Sequence, residues 1–327
     1  MTGLVTIYGG SGFLGRYIAR RLAYEGWRIR VAVRNPDEAL FVRTYGVVGQ
    51  VEPVQCNIRD EDSVRRVMEG ADAVVNCVGI LAEKGKNRFG AVQAEGAARV
   101  ARLASELGVK RLVQISAIGA DAGSDSAYAR SKAEGEAAVQ RHFPQAVILR
   151  PSILFGAEDG FFNRFAGMAQ FSPVLPVVGA KTRFQPVFVD DVATAAQMAV
   201  EGRAKPGIYE LGGPDVNSFR ELMTYMLGEI RRRRLVLALP FWVGNLMGLA
   251  GGAVQTLTLG LVRAPITRDQ VANLRRDNVV SPEAMSFADL GITPTSLEAV
   301  LPEYLWRFRP SGQYAAIKES ARNLRKS

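Results

Sequence analysis

Four glycines near the N-terminus are the first residues with chemistry to offer. In "YGGSGFLGR", Gly10, Gly12 and Gly15 stand at G-x-G-x-x-G spacing, and Gly9, Gly12 and Gly15 at the looser G-x-x-G-x-x-G. Positions without a β-carbon let backbone N–H groups come close to a bulky anion. Gly9, Gly10, Ser11, Gly12, Phe13, Leu14, Gly15 and Arg16 therefore form a candidate cradle for a diphosphate. The apolar run before them reads as a strand and the pattern after them as a helix, whose N-terminus adds partial positive charge. Completing a β-α-β unit by Val33 is what makes the spacing specific.

A guanidinium stands where a carboxylate would select another ligand. Dinucleotide folds that prefer a free ribose 2′-hydroxyl place Asp or Glu about twenty residues past the glycine loop. This chain has Arg34 there, nineteen residues after Gly15, followed by Asn35. Arg16, on the first helical turn, is expected to face the same point. Two guanidiniums suit a 2′-phosphate through charge-assisted bonds, so NADP(H) is expected in preference to NAD(H).

Ligands of open parallel sheets lie beyond the carboxyl ends of the strands. On that rule Asn57 and Ile58, in "CNIRD", should flank the adenine. Val78 and Gly79, with Cys77 before them, should pass near the ribose; Asn76 could equally be a tie at the strand end. Tyr128 and Lys132 follow in "YARSK", and four-residue spacing puts both on one helix face. An ammonium beside a phenol lowers a pKa otherwise near ~10, giving a proton donor or acceptor usable near neutrality. The lysine can also hold the nicotinamide ribose.

The elements that must position these groups alternate along the first 150 residues. Apolar runs at Leu4–Tyr8, Ile29–Val33, Val51–Gln55, Ala73–Cys77, Arg111–Ile115 and Ala146–Leu149 read as strands. Between them, stretches such as "GRYIARRLAYEG" and "EGAARVARLASELG" carry apolar residues at three- and four-residue intervals. Such alternation implies an α/β fold, a doubly wound parallel sheet of the Rossmann type. Gly26 and Gly108 mark expected left-handed helix ends. After a dinucleotide-binding core at 1–150, residues 151–327 are expected to supply the remaining sheet elements, among them a strand at Gly207–Gly213. They should also form a smaller, mostly helical C-terminal domain facing substrate or partner.

Composition narrows the remaining choices. With 327 residues, 48% apolar and 22% charged, the chain can bury a sizeable core. Cys56 and Cys77 lack C-x-x-C spacing and read as reduced, buried thiols. One histidine, His142, leaves no material for a His-based triad or a His-liganded metal. Met1 runs into the first strand without a basic or apolar leader, which suits a chain made in a bacterial-type cytoplasm. The net charge of +9, with more than half the excess in residues 201–327, invites an anionic partner. An anionic membrane surface is expected rather than nucleic acid.

One stretch, Leu235–Val262, contains no charged residue and is flanked by Arg231–Arg234 and Arg263. It is long enough to span a membrane, yet holds five glycines, Pro240 and several polar residues. A span, a buried helical hairpin and a membrane- or partner-facing surface are the three readings.

Together "YGGSGFLGR", "NCVG", "YARSK", "LRPSILFG" and "VFVDDVA" resemble the extended and atypical short-chain dehydrogenase/reductases, relatives of the NAD-dependent epimerases and dehydratases. That resemblance covers residues 3–215. "APITRDQVANLRRDNVV" and "LPEYLWRFRPSGQY" extend it to about Tyr314. These stretches resemble the nucleotide-binding accessory subunits of respiratory complex I (NADH:ubiquinone oxidoreductase) and their alphaproteobacterial homologues.

The resemblance implies that Arg150 and Pro151 lie by the nicotinamide, and that complex I core subunits are partners. It also implies a peripheral location on the cytoplasmic face of the inner membrane. In "LVQISAIGADAG" the position where catalytic relatives carry Ser or Thr aligns with Ala117, and Ser116 should point to the other face. Tyr128 lies only eleven residues beyond Ala117, a short connection for this class. Tyr128 and Lys132 are then cofactor ligands without turnover. An active NADP-dependent oxidoreductase or epimerase, acting on a quinone-related or sugar-nucleotide substrate, is the alternative, and an NADP(H)-sensing regulator a third. Asp190 and Asp191 are expected to anchor a helix start; Phe161, Phe162, Phe165 and Phe171 are expected in the core or lining a pocket.

Overall fold

The computed structural model describes residues 3–257, 266–310 and 312–314. The chain divides into two compact units. The first comprises Met1–Ser152, Val189–Gly212 and Val280–Pro294; the second comprises Ile153–Phe188, Gly213–Val279 and Thr295–Ser327. The chain thus crosses back into the first unit twice beyond residue 150, so that unit draws on segments distant in sequence.

Six strands of the first unit come from its N-terminal part: β1 (Leu4–Tyr8), β2 (Arg28–Val33), β3 (Val51–Gln55), β4 (Ala73–Asn76), β5 (Arg111–Ile115) and β6 (Val147–Pro151). With Gly207–Leu211 they make one seven-stranded parallel sheet, the last strand pairing with β6. The order from that edge is Gly207–Leu211, β6, β5, β4, β1, β2, β3. This is a Rossmann-type doubly wound sheet, as the strand–helix alternation implies. Each of the six expected strands forms, three with the expected bounds and three with ends displaced by one or two residues. All five residues of β1 are buried, because a central parallel strand is covered on both faces. Strand order reverses between β1 and β4, and their carboxyl ends, at Tyr8 and Asn76, define the crevice that open sheets use for ligands.

The covering helices are α1 (Phe13–Tyr24), α2 (Glu61–Met68), α3 (Glu95–Glu106) and α4 (Ala127–His142). Asp60 caps α2 by accepting from the Ser63 N–H, and Ser126 caps α4 by accepting from Ala129. Gly26 and Gly108 adopt left-handed φ of 82° and 67°, as expected after the preceding helices. Residues 36–45, between β2 and β3, form short 3-10 turns where no regular element was expected.

The second unit adds β7 (Leu154–Phe155), α5 (Phe162–Phe171), β8 (Val174–Val178), β9 (Arg183–Phe184) and β10 (Val187–Phe188). The chain then returns to the first unit for α6 (Val189–Val200) and β11 (Gly207–Leu211). Asp190 in the first turn of α6 receives a bidentate bond from Arg21 at 2.8 and 2.6 Å, so this expected helix anchor is also tied to α1. The remaining elements, all in the second unit, are β12 (Asn217–Ser218), α7 (Phe219–Glu229), β13 (Leu235–Leu239), α8 (Phe241–Leu257), α9 (Arg268–Asn273) and α10 (Leu297–Leu305).

Phe161, Phe162 and Phe165 pack with Phe184 and Phe219 in the core of this unit. Phe171 does not join them, being 90% exposed. Over its described residues, 235–257, the uncharged stretch forms a strand and one helix, not a span or a helical hairpin. Its first residues pair in parallel with β8 and the chain then enters α8. Among the described residues no helix is long and apolar enough to cross a membrane. Residues 258–262 of that stretch, and the basic tail 316–327, lie outside the described residues.

Candidate functional site

The glycine loop is built as its spacing implies. Gly9 adopts φ of 74°, and a β-carbon there would sit 3.2 Å from the carbonyl carbon of Cys77. A β-carbon on Gly15 would overlap the Gly9 carbonyl oxygen and lie 2.7 Å from Gly10 Cα. Helix α1 therefore begins directly against the loop. Gly12 gives it no side-chain cap, and no acidic residue occupies the first turn. Its leading amides, at Phe13 and Leu14, lack intrahelical acceptors. That end suits a diphosphate.

Beyond the carboxyl ends of β2 and β3 lies a cavity of about 440 Å³, lined by Arg34, Cys56, Asn57, Arg59, Ser63 and Arg66 among others. Arg34 and Asn57 were expected there; Arg59 and Arg66 were not. Arg59 is the fourth residue of "CNIRD", and Arg66 sits on α2, out of register with any motif. Arg16 takes a different seat: its guanidinium lies 5.0 Å from the Phe41 ring centroid and donates to the Ser11 carbonyl at 3.1 Å. Asn35 donates to Glu38. Ile58 is buried in the core, packing against Gly96, while Asn57 holds the turn by accepting from the Arg59 N–H. Burial raises the Cys56 thiol pKa, against a hydrogen bond with Ser63.

Asn76 is the strand-end tie. It donates to Gln114 at 2.9 Å and accepts from the Val78 N–H at 3.1 Å, fixing the path through Val78 and Gly79. Tyr128 and Lys132 share a face of α4, with Lys132 Nζ 5.9 Å from the tyrosine ring centroid. Lys132 is buried and donates to the Ile115 carbonyl at 3.3 Å. Burial pulls its pKa down to about 8, opposed by the nearby charges of Glu136 and Cys77. Cys77 in turn is pushed up to about 12 by its own burial.

Gln93 was not foreseen. It lies in a π-helical turn, Gly90–Ala94, a distortion that often marks functional positions. Its Nε2 donates to Ser131 Oγ at 2.9 Å, and Ser131 donates to the Tyr128 carbonyl. Gln93 Oε1 is left buried without a hydrogen-bond partner among the described residues. A β-carbon on Gly79 would lie 3.5 Å from both this oxygen and Lys132 Nζ. An acceptor and a cationic donor thus converge on the Gly79 backbone, a pairing that matches a ribose hydroxyl. Ser116 Oγ is likewise buried and unpartnered, while Ala117, half-buried, offers only a methyl group.

Arg150 is held away from any free role. It binds Glu136 on α4 at 2.9 and 2.6 Å and Glu210 on β11 at 3.2 Å. Pro151 ends β6, paired with Leu211. Among the described residues no group of His, Cys, Asp and Glu could hold a metal ion.

Residues 5–212 match the NAD dependent epimerase/dehydratase family. The chain belongs to that family. It is 35% identical to the Arabidopsis thaliana mitochondrial protein "NADH dehydrogenase [ubiquinone] 1 alpha subcomplex subunit 9", covering 95% of this chain and 80% of that one. It is also 35% identical to the ceramide reductase of Caulobacter vibrioides, over only 58% of this chain and 59% of the reductase. Among solved structures, the dTDP-glucose 4,6-dehydratase DesIV of Streptomyces venezuelae superposes with a TM-score of 0.71 at 19% identity. That match covers 96% of this chain and 99% of the dehydratase, a likeness of fold. The family agrees with the parallel α/β sheet.

Proposed function

We propose that this protein binds NADP(H) in its first unit and serves respiratory complex I as a structural or assembly accessory subunit, without turnover of its own. One observation carries the reading. Sequence likeness to a complex I subunit, at 35% identity, runs through 95% of the chain, whereas the ceramide reductase at the same identity is matched over 58%. The part that extends past the fold family is where a partner-specific role would be written.

Gly9–Arg16 would hold the diphosphate, and Asn57 the adenine side. Gly79, Lys132 and Gln93 would hold the nicotinamide ribose. Arg34, Arg59 and Arg66 line the cavity at the adenosine end of this site together with Asp60, and their excess of positive charge favours a 2′-phosphate. A bound nicotinamide supplies hydride chemistry only when substrate and proton donor stand beside it. Tyr128 is present for that task, but Ala117 withholds the neighbouring hydroxyl that would orient a substrate oxygen. Losing one such donor reduces rate by roughly 10²–10³-fold.

Purification of a tagged chain from gently solubilised membranes tests the reading. Complex I core subunits should co-isolate, and heat denaturation should release NADP(H) in near-stoichiometric amount. A monomer free of complex I that steadily oxidises NADPH on an added ceramide-like, quinone or sugar-nucleotide substrate would establish the enzyme instead, with Tyr128→Phe abolishing that turnover.

A further inference from the structure

The second unit exposes an apolar face that its own packing leaves unused. On α8, Gly244 and Gly248 press inward: a β-carbon on the first would meet Val178 at 2.9 Å, and on the second the Arg268 backbone nitrogen at 2.8 Å. Helical geometry then turns Trp242, Leu246 and Leu249 to the opposite side. They are 68%, 61% and 56% exposed. Strand β13 continues the surface, since alternation turns Leu235 and Leu237 outward while Val236 faces in. Phe171 stands exposed two residues before Pro173, whose carbonyl accepts from the Leu235 N–H.

Arginines stand directly before β13. The four arginines before β13 divide by role. Arg232 donates to the Phe308 carbonyl and Arg234 to the Ala169 carbonyl, holding the fold together. Arg231 and Arg233 are exposed. No acidic residue occurs between Glu229 and Asp269. A protein partner matched to exposed arginines would bring its own carboxylates, whereas the sextet of Phe, Trp and Leu presents only apolar side chains. Indole and leucine side chains beside arginines suit the headgroup–acyl boundary of an anionic bilayer, with roughly 1 kcal/mol per cation from the surface potential.

We propose that Trp242, Leu246 and Leu249 of α8, with Leu235 and Leu237 of β13, insert shallowly into the headgroup region of an anionic membrane, Arg233 binding lipid phosphate. The helix lies in the plane of the surface instead of crossing it. This deepens the peripheral placement in the accessory-subunit reading, but its test requires no complex I.

The purified full chain should co-sediment with phosphatidylcholine vesicles containing about a third phosphatidylglycerol, and roughly tenfold less with phosphatidylcholine alone. Raising salt from 0.05 to about 0.5 M should weaken binding, because the phosphate contacts are screened. Brominated lipid should quench the wild-type protein and not Trp242→Phe, which leaves only Trp27 and Trp306 as emitters. Leu246→Ser combined with Leu249→Ser should reduce vesicle binding at least tenfold with circular dichroism and NADPH affinity unchanged. Arg233→Ser alone should shift the salt dependence.

Failure of the folded, NADPH-binding wild type to bind anionic vesicles overturns the proposal. So does vesicle binding that ignores the double variant. Loss of complex I co-isolation in that variant, with vesicle binding intact, would assign this face to a protein partner.

Discussion

Arg150 grips Glu136 with one edge of its guanidinium, Nε 2.9 Å from Oε1 and Nη2 2.6 Å from Oε2. The glutamate is one helical turn past Lys132, and both are buried. Arg150 also reaches Glu210, whose other oxygen accepts from the Ser281 N–H at 2.8 Å. Two cations and two carboxylates therefore balance across α4, β6 and β11, and the network pins the returning segment at Ser281 to the sheet edge. Sequence resemblance placed Arg150 beside the nicotinamide; the ion pairs give it a reason to be there that needs no ligand.

Glu136→Gln should accordingly cost stability. Removing one partner of a buried pair typically costs about 3–5 kcal/mol, but Arg150 keeps Glu210 and is a fifth exposed. A loss of roughly 2–3 kcal/mol in urea unfolding is expected, with Arg150→Met comparable. The double variant should lose less than the sum, because neither charge is then left alone. Additive losses would show that the pair is not energetically coupled.

Lys132 predicts a pH dependence. Its pKa in the fold is about 8, against an ordinary 10.5, mainly through burial. Between those values the unfolded chain holds the proton that the folded chain has lost. Stability of the ligand-free protein should therefore rise with pH from about 8 to 10.5, and the penalty for the buried ammonium is fully present below 8. A bound ribose hydroxyl reverses the preference by accepting from the ammonium. NADPH affinity should then fall as pH climbs past about 8, and Lys132→Met should flatten both profiles. Calorimetric titrations between pH 6.5 and 9.5 measure the second; a Lys132→Met profile as steep as wild type would place the titration elsewhere.

The nucleotide choice can be tested at residues of unequal legibility. Arg34 was readable because it replaces a carboxylate at a position defined by the glycine loop. Arg66 was not: nothing in α2's periodicity says that this turn overhangs the β3 end. Arg16 shows the reverse error. Its place on the first turn fits the phosphate, but Phe41, in turns that periodicity did not reveal, offers its ring face instead. A charge-assisted bond to phosphate contributes about 1.5–3 kcal/mol, or roughly 10–150-fold in affinity. Arg34→Asp and Arg66→Ala should each weaken NADPH by that factor while leaving NADH within about twofold. Equal losses for both nucleotides would remove the 2′-phosphate from this cavity.

Local rules foresaw the sheet, the caps and the Tyr128–Lys132 face, since periods of two and 3.6 residues and strand–helix alternation are written in consecutive residues. They did not foresee Gln93. Its position depends on a π-helical turn and on Gly135, where a β-carbon would meet the Gln93 carbonyl at 2.6 Å. Only the assembled α3–α4 contact shows that this side chain aims at Gly79. The β13 pairing was hidden for a similar reason: an uncharged run reads alike as strand, helix or span until a partner such as β8 fixes it.

The glycine loop offers a direct test of nucleotide binding. A β-carbon at Gly15 would collide with the Gly9 carbonyl oxygen and the Gly10 Cα, both backbone atoms that no rotamer change can move aside. Gly15→Ala must therefore push α1 away from the loop and rotate the amides of Phe13 and Leu14 off the diphosphate. Gly228, exposed in α7 with nothing within 4 Å of its virtual β-carbon, is the matched control. Gly228→Ala should stabilise by up to about 1 kcal/mol through helix propensity and leave NADPH binding untouched. Gly15→Ala should lower NADPH affinity at least ~10-fold, a loss of ~1.4 kcal/mol or more, with far-ultraviolet circular dichroism retained. A Gly15→Ala protein that binds NADPH as well as wild type would mean that the α1 N-terminus does not hold the diphosphate.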